Sequence, residues 1–64
     1  MNPKRMVEIL LTKVSYKHNL FYLEQRTYKE GKIFKKYKVK IDNGKMQEFN
    51  SLTQLLLFLK DWKW

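Results

Sequence analysis

The segment Ile33–Ile41 alternates with period two: Ile33, Tyr37, Val39 and Ile41 fall on one side and Phe34, Lys36, Lys38 and Lys40 on the other, with only Lys35 out of place. Successive side chains of a strand point to opposite faces, so this pattern specifies a strand with one buried apolar face and one basic face turned outward. A half-buried strand of this kind needs antiparallel neighbours, and its flanks supply turn residues, Lys29-Glu30-Gly31-Lys32 before it and Asp42-Asn43-Gly44 after it. Asn-Gly is the strongest short hairpin signal, because both central residues of a type I′ turn need positive φ. The aromatic and branched run Leu20–Tyr28 reads as the preceding strand, and about Lys45–Asn50 as a short third strand pairing back.

Both ends of the chain switch to helical spacing. Asn2-Pro3 offers an N-cap and a residue pre-set for the first helical position. Met6, Val7, Leu10, Leu11 and Val14 then share an arc of about 140° at 100° per residue, with Ile9 outside it. The rival reading makes residues 5–15 a strand buried on both faces, which gives a four-stranded antiparallel meander with one C-terminal helix. At the other end, Ser51-Leu52-Thr53-Gln54 is a capping box, in which the Ser hydroxyl accepts from the Gln54 N–H and the Gln side chain returns to the Ser N–H. A helix from about Leu52 to Trp62 follows, with Leu52, Leu55, Leu56, Leu59 and Trp62 as its apolar stripe and Phe58 beside it. The favoured fold is therefore α+β: one small basic domain over residues 1–64, an antiparallel β-meander of three strands packed on two helices in the order α-β-β-β-α.

A chain of 64 residues without cysteine has no disulfide scaffold, no cysteine-based zinc or iron–sulfur site and no thiol nucleophile, so a packed core or oligomerisation must hold it together. The groups that catalysis needs do not converge. His18 is the only histidine and reads as a surface residue, while Ser15 and Ser51 serve a turn and a cap. Glu24 and Glu48 are the one acid pair that neighbouring strands can bring together, and they are expected to offset nearby basic residues. Gly31 and Gly44 are isolated turn glycines rather than parts of a phosphate loop. The expectation is a protein without enzymatic activity, metal or cofactor. The longest apolar run, Leu55–Leu59, is far short of the roughly 20 residues that span a bilayer, so a soluble cytoplasmic chain with no membrane role is expected.

Charge is the main clue to function. Fourteen Lys+Arg against six Asp+Glu give +8, and Lys29–Lys45 alone holds seven Lys against Glu30 and Asp42. A domain this basic favours a polyanionic partner. Lys36, Lys38 and Lys40 recur on one face about every 6.6–7 Å, comparable to the distance between successive phosphates of a strand. Phe34 lies on their face. Tyr22 and Tyr28 share a face of the neighbouring strand with Leu20, Glu24 and Arg26, and are expected to interleave rings with the lysines for stacking. Arg26 is the one strand arginine suited to a bidentate phosphate or guanine contact. The leading expectation is a nucleic-acid-binding protein, DNA ahead of RNA, using Phe34, Lys36, Lys38, Lys40, Tyr22 and Arg26. Usage rich in Lys, Asn, Ile and Tyr would suit a regulator from a phage, virus or plasmid with an AT-rich genome. The alternative is a protein-interaction module, because Leu57 and Trp64 project about 140° and 120° from Leu52, away from the stripe. With Phe58 they would anchor a homodimer or another protein partner.

The element order resembles that of the double-stranded-RNA-binding domain, with Tyr37-Lys38-Val39-Lys40-Ile41 standing where that family has its alternating central strand. The lysine cluster that opens that family's last helix has no counterpart in Ser51-Leu52-Thr53-Gln54, so its phosphate clamp does not carry over. The four-stranded alternative is similar in order to dimeric cofactors of transcription that bind single-stranded DNA, without a shared motif.

Overall fold

A computed structural model describes residues 2–63 and shows the order α-β-β-β-α. Helix α1 spans Pro3–Lys17, strands β1 Leu20–Lys29, β2 Lys32–Ile41 and β3 Gln47–Phe49 follow, and helix α2 spans Leu52–Asp61. Residues 5–15 are thus helical, and the four-stranded alternative does not form.

Local chemistry sets both helix starts. The Asn2 side chain accepts from the Lys4 N–H at 2.9 Å, and Pro3 occupies the first turn, where its missing N–H leaves no bond unmade. In α2 the Ser51 hydroxyl accepts from the Gln54 N–H at 3.2 Å. The Gln54 side chain accepts from the Asn50 N–H at 3.3 Å, one residue earlier than the capping-box expectation placed it. Each helix turns one apolar stripe inward, Val7, Leu11 and Val14 from α1 and Leu55, Leu56 and Leu59 from α2. Ile9, off the stripe, is exposed as its spacing requires.

The sheet has the order β1-β2-β3 and is antiparallel throughout. Its central strand contributes Tyr37 and Val39 to the core, and both helices pack over that one face. Leu20, Tyr22, Ile41, Phe49, Leu52, Phe58 and Trp62 close the margins. The opposite face, which carries Lys36, Lys38 and Lys40, has no helix over it.

The two hairpins depart from the turn signals in opposite ways. Between β1 and β2 the chain turns in two residues, Glu30 at φ 52° and Gly31 at φ 75°, with Lys29 paired to Lys32. Positive φ at both central residues is what a type I′ turn needs. The Asn43-Gly44 signal does not make such a turn. Among non-glycine residues there it is Asp42, at φ 53°, that takes the left-handed conformation. The register pairs Val39 with Gln47, leaving a long connection and a third strand shorter than Lys45–Asn50. The cause is tertiary. The Asp42 N–H donates to the Asn19 carbonyl at 2.7 Å, while its carboxylate accepts from the Asn19 N–H at 2.9 Å and contacts His18 Nδ1 at 2.7 Å. Gly44 then passes close beneath Ile41, where a Cβ would sit 3.0 Å from the Ile41 carbonyl oxygen.

Candidate nucleic-acid interface

Register decides which side chains share the uncovered face. Phe21 pairs with Lys40, Leu23 with Lys38, Gln25 with Lys36 and Thr27 with Phe34. Directly opposed residues of an antiparallel pair point to the same side. The basic face therefore consists of the β2 lysines flanked by Phe21 and Leu23 of β1 and by Glu48 of β3, which pairs with Lys38. Phe21, Leu23 and Phe34 are 46%, 44% and 55% exposed, large apolar groups left open beside the ammonium row.

This register corrects the placement of two expected site residues. Tyr22 lies opposite Val39 and Arg26 opposite Lys35, so both point to the helix-bearing side. Tyr22 packs against the core there and, with Glu24, lines a hollow closed by Val7, Leu11 and Leu52. Burial raises its phenol pKa above the ordinary tyrosine value, and the charges of Glu24 and Glu8 add to that. The Tyr22 ring is half-buried on the helix side of the sheet, away from the lysine row, and does not join that row's face. Arg26 stands beyond the helices, its guanidinium 3.4 Å from Glu24. Tyr28, expected on the lysine side with them, follows Tyr22 and Arg26 onto the other.

Phe21 and Leu23 are what sequence reasoning missed. The signal was present in the turn: a two-residue loop at Glu30-Gly31 pairs Lys29 with Lys32, and counting back along both strands puts Tyr22 against Val39. The run Leu20–Leu23 is apolar on both faces, so its own composition could not choose.

The electrostatics of the row are uneven. Lys38 reaches Glu48 at 3.8 Å, which offsets part of its charge, whereas Lys36 and Lys40 form no ion pair among the described residues. Glu24 and Glu48 stand on opposite faces, and each lies beside a cation, Arg26 and Lys38 respectively. His18 is a structural link rather than a loose surface group: its Nδ1 meets Asp42, and its ring abuts Trp62 edge-on at 4.8 Å, tying the ends of α1, β2 and α2 together.

Of the residues expected at a protein interface, Leu57 is 56% exposed, while Phe58 packs its ring 5.3 Å from Phe49 and belongs to the core margin. Trp64 lies outside the described residues. Among the described residues no cluster of His, Asp and Glu could hold a metal ion, and no helix is long and apolar enough to cross a membrane. No family model matches this chain, and no curated protein or solved structure is significantly similar to it.

Proposed function

We propose that this protein is a non-enzymatic nucleic-acid-binding protein that takes DNA on the uncovered face of its sheet. One observation carries the reading: a face with no helix over it sets Lys36, Lys38 and Lys40 in a row beside the exposed side chains of Phe21, Leu23 and Phe34. The ammonium groups neutralise successive phosphates, and the rings cover sugar or base surface between them. A solvated face kept soluble by its lysines would not need three large apolar groups among them.

Titration of labelled single-stranded DNA, duplex DNA and duplex RNA at two salt concentrations tests this by anisotropy. A DNA probe should bind best, with affinity falling steeply in salt. Lys36→Gln with Lys40→Gln, which touches neither the core nor an ion pair, should lower the slope of log K against log salt by about 1.8 for duplex DNA, since each lost phosphate contact contributes roughly 0.9. An unchanged slope with an unchanged circular dichroism spectrum removes this face as the binding surface.

The second reading, a protein-interaction module, draws on Leu57, which shares a broad open hollow with Phe49, Phe58 and Trp62. An apolar anchor in that position would be occupied by a partner protein or a second copy. Leu57→Ser separates the two readings: under the second, sedimentation should find the parent self-associated and the variant monomeric, while under the first the variant should bind DNA as the parent does.

A further inference from the structure

The β1–β2 hairpin is longer than anything that supports it. β3 pairs only with Tyr37, Lys38 and Val39, and every residue from Gln25 to Lys36 is exposed. The outer part of the hairpin therefore stands off the body as a two-stranded arm, in a molecule whose longest dimension is 40 Å and whose shortest is 16 Å. Within it are Arg26, Lys29, Lys32, Lys35 and Lys36 against the single acid Glu30, a net +4 of the chain's +8.

The same arm carries Tyr28, Ile33 and Phe34, which are 74%, 61% and 55% exposed and cover no core. Tyr28 and Ile33 oppose each other on the helix-side face, one step beyond the Arg26–Lys35 pair. Phe34, with Thr27, lies on the other face between the Gln25–Lys36 and Lys29–Lys32 pairs. Each face thus presents apolar surface flanked by positive charge. Lysines alone would protect an exposed ribbon from aggregation, but these three side chains work against that protection.

An occupant that satisfies both faces at once must surround the ribbon. A flat acidic protein surface or a lipid headgroup layer meets one face and leaves the other in water. A groove with anionic walls meets both. The major groove of B-DNA, about 12 Å wide and 8.5 Å deep, admits a two-stranded β-ribbon, whereas the minor groove at about 6 Å does not without deformation. The major groove of A-form RNA is too narrow for side chains to read. The four residue steps from Gln25 to Lys29 reach roughly 14 Å, more than the groove is deep.

We infer that the β1–β2 arm inserts into the major groove of duplex DNA. The cations meet the phosphate walls and base edges, while Tyr28, Ile33 and Phe34 lie against the apolar surface of the groove floor, where thymine methyl groups are exposed. Arg26, displaced from the lysine row by the register, stands at the root of the arm, where its guanidinium, 65% exposed, would exchange its 3.4 Å contact with Glu24 for a phosphate or guanine. Lys36 joins the arm to the face that carries Lys38 and Lys40, so one body of charge continues from groove to backbone. This inference rests on the DNA-binding reading of the sheet face and specifies the duplex and the groove.

The test compares two duplexes of one sequence, one plain and one whose major groove is filled by glucosylated 5-hydroxymethylcytosine. The proteins are the full chain, a short-arm variant and a full-length variant of unchanged charge. The short-arm variant replaces Arg26–Lys35 by Asn-Gly between Gln25 and Lys36. That pair has the same parity along the ladder as Lys29–Lys32, so a two-residue turn closes it in register. The charge-preserving variant is Tyr28→Ser with Ile33→Ser, an exposed pair on the face away from the lysine row. The full chain should bind the plain duplex at least about tenfold more tightly than the filled one, the loss expected when base-edge and apolar contacts in the groove are removed. The short-arm variant should bind both equally. The charge-preserving variant should lose about tenfold on the plain duplex with its salt slope unchanged. Equal binding of both duplexes by the full chain overturns the arm's insertion while leaving the sheet face as the DNA site. Discrimination retained by the short-arm variant also overturns it, because some other segment then occupies the groove. An unchanged affinity of the charge-preserving variant overturns the groove-floor contact. Failure of the full chain to bind any nucleic acid at low salt removes the underlying reading itself.

Discussion

Tyr22 and Tyr28 sit on the same strand and the same face, yet they occupy different worlds. Tyr22 opposes Val39 beneath α1, and Tyr28 opposes Ile33 in open solvent. The ladder of backbone bonds runs through both. What changes along it is cover: helices and a third strand lie over the inner half of the hairpin and nothing lies over the outer half. Alternation of apolar residues fixes a face, but burial of that face is decided by the length of the elements packed on it. The inner half holds the fold together, and the outer half holds apolar groups that the fold does not use.

The comparison breaks most sharply under the same substitution at the two tyrosines. Tyr22→Ala removes a ring packed on the core and should destabilise the protein by about 1–2 kcal/mol, since a fully buried aromatic is worth roughly 1.5–3. Tyr28→Ala should fall within about 0.5 kcal/mol of the parent in the same urea titration, as exposed substitutions do. The order reverses in DNA binding, where Tyr28→Ala weakens affinity and folded Tyr22→Ala does not. Equal destabilisation by both would mean that the arm is packed in solution, and the distinction between the two halves would be lost.

A smaller effect sharpens the comparison at the tip of the arm. Glu30 holds φ 52°, a conformation in which a side chain with Cβ is crowded and which Asn adopts more readily. Glu30→Asn converts the turn to Asn-Gly, the preferred pair for two positive φ values, and should stabilise by roughly 0.5–1 kcal/mol. It also removes the only acid of the arm, so affinity for duplex DNA should rise about twofold to fivefold. A thermal melt and a DNA titration of one variant read both effects. Stabilisation without tighter binding would assign the arm's charge to solubility.

Much of the architecture could be read from residue order. Asn2-Pro3 and the stripe Val7, Leu11, Val14 specify α1, Ser51 and Gln54 start α2, and the alternation of Tyr37, Lys38, Val39 and Lys40 divides β2 between core and surface. These signals are local, and their physics is complete within a few residues. The phase of β1 was harder to read. Leu20, Phe21, Tyr22 and Leu23 are apolar on both faces, so only the cross-strand register set by the Glu30-Gly31 turn places Phe21 and Leu23 beside the lysines and Tyr22 under the helix. Asn43-Gly44 misled for the opposite reason. Its turn preference is modest in energy, and the bonds that Asp42 makes to Asn19 and His18, residues of the link between α1 and β1, override it. The candidate site inherits this division: its β2 half was legible and its β1 half was not.

Asp42 gives the smallest of the predicted effects and locates where the body of the molecule is closed. Its carboxylate pKa is held below the ordinary aspartate value of 3.8, first by the Asn19 backbone N–H and then by His18. A depressed folded-state pKa means that the charged form is favoured by folding, so the contribution is fully present above the unfolded value and is lost as pH falls through the folded one. The stability of the protein should therefore decline on acidification below about pH 4, with Asp42 as one source. Asp42→Asn keeps an acceptor for the Asn19 N–H and tolerates φ 53°, so its turn should survive. It should be slightly less stable than the parent at neutral pH and should show a shallower loss in acid, converging on the parent once both side chains are neutral. Melts of the two proteins between pH 2 and pH 7 measure this directly. Parallel curves would mean that the carboxylate charge contributes nothing, and that a neutral acceptor at this position holds the turn as well.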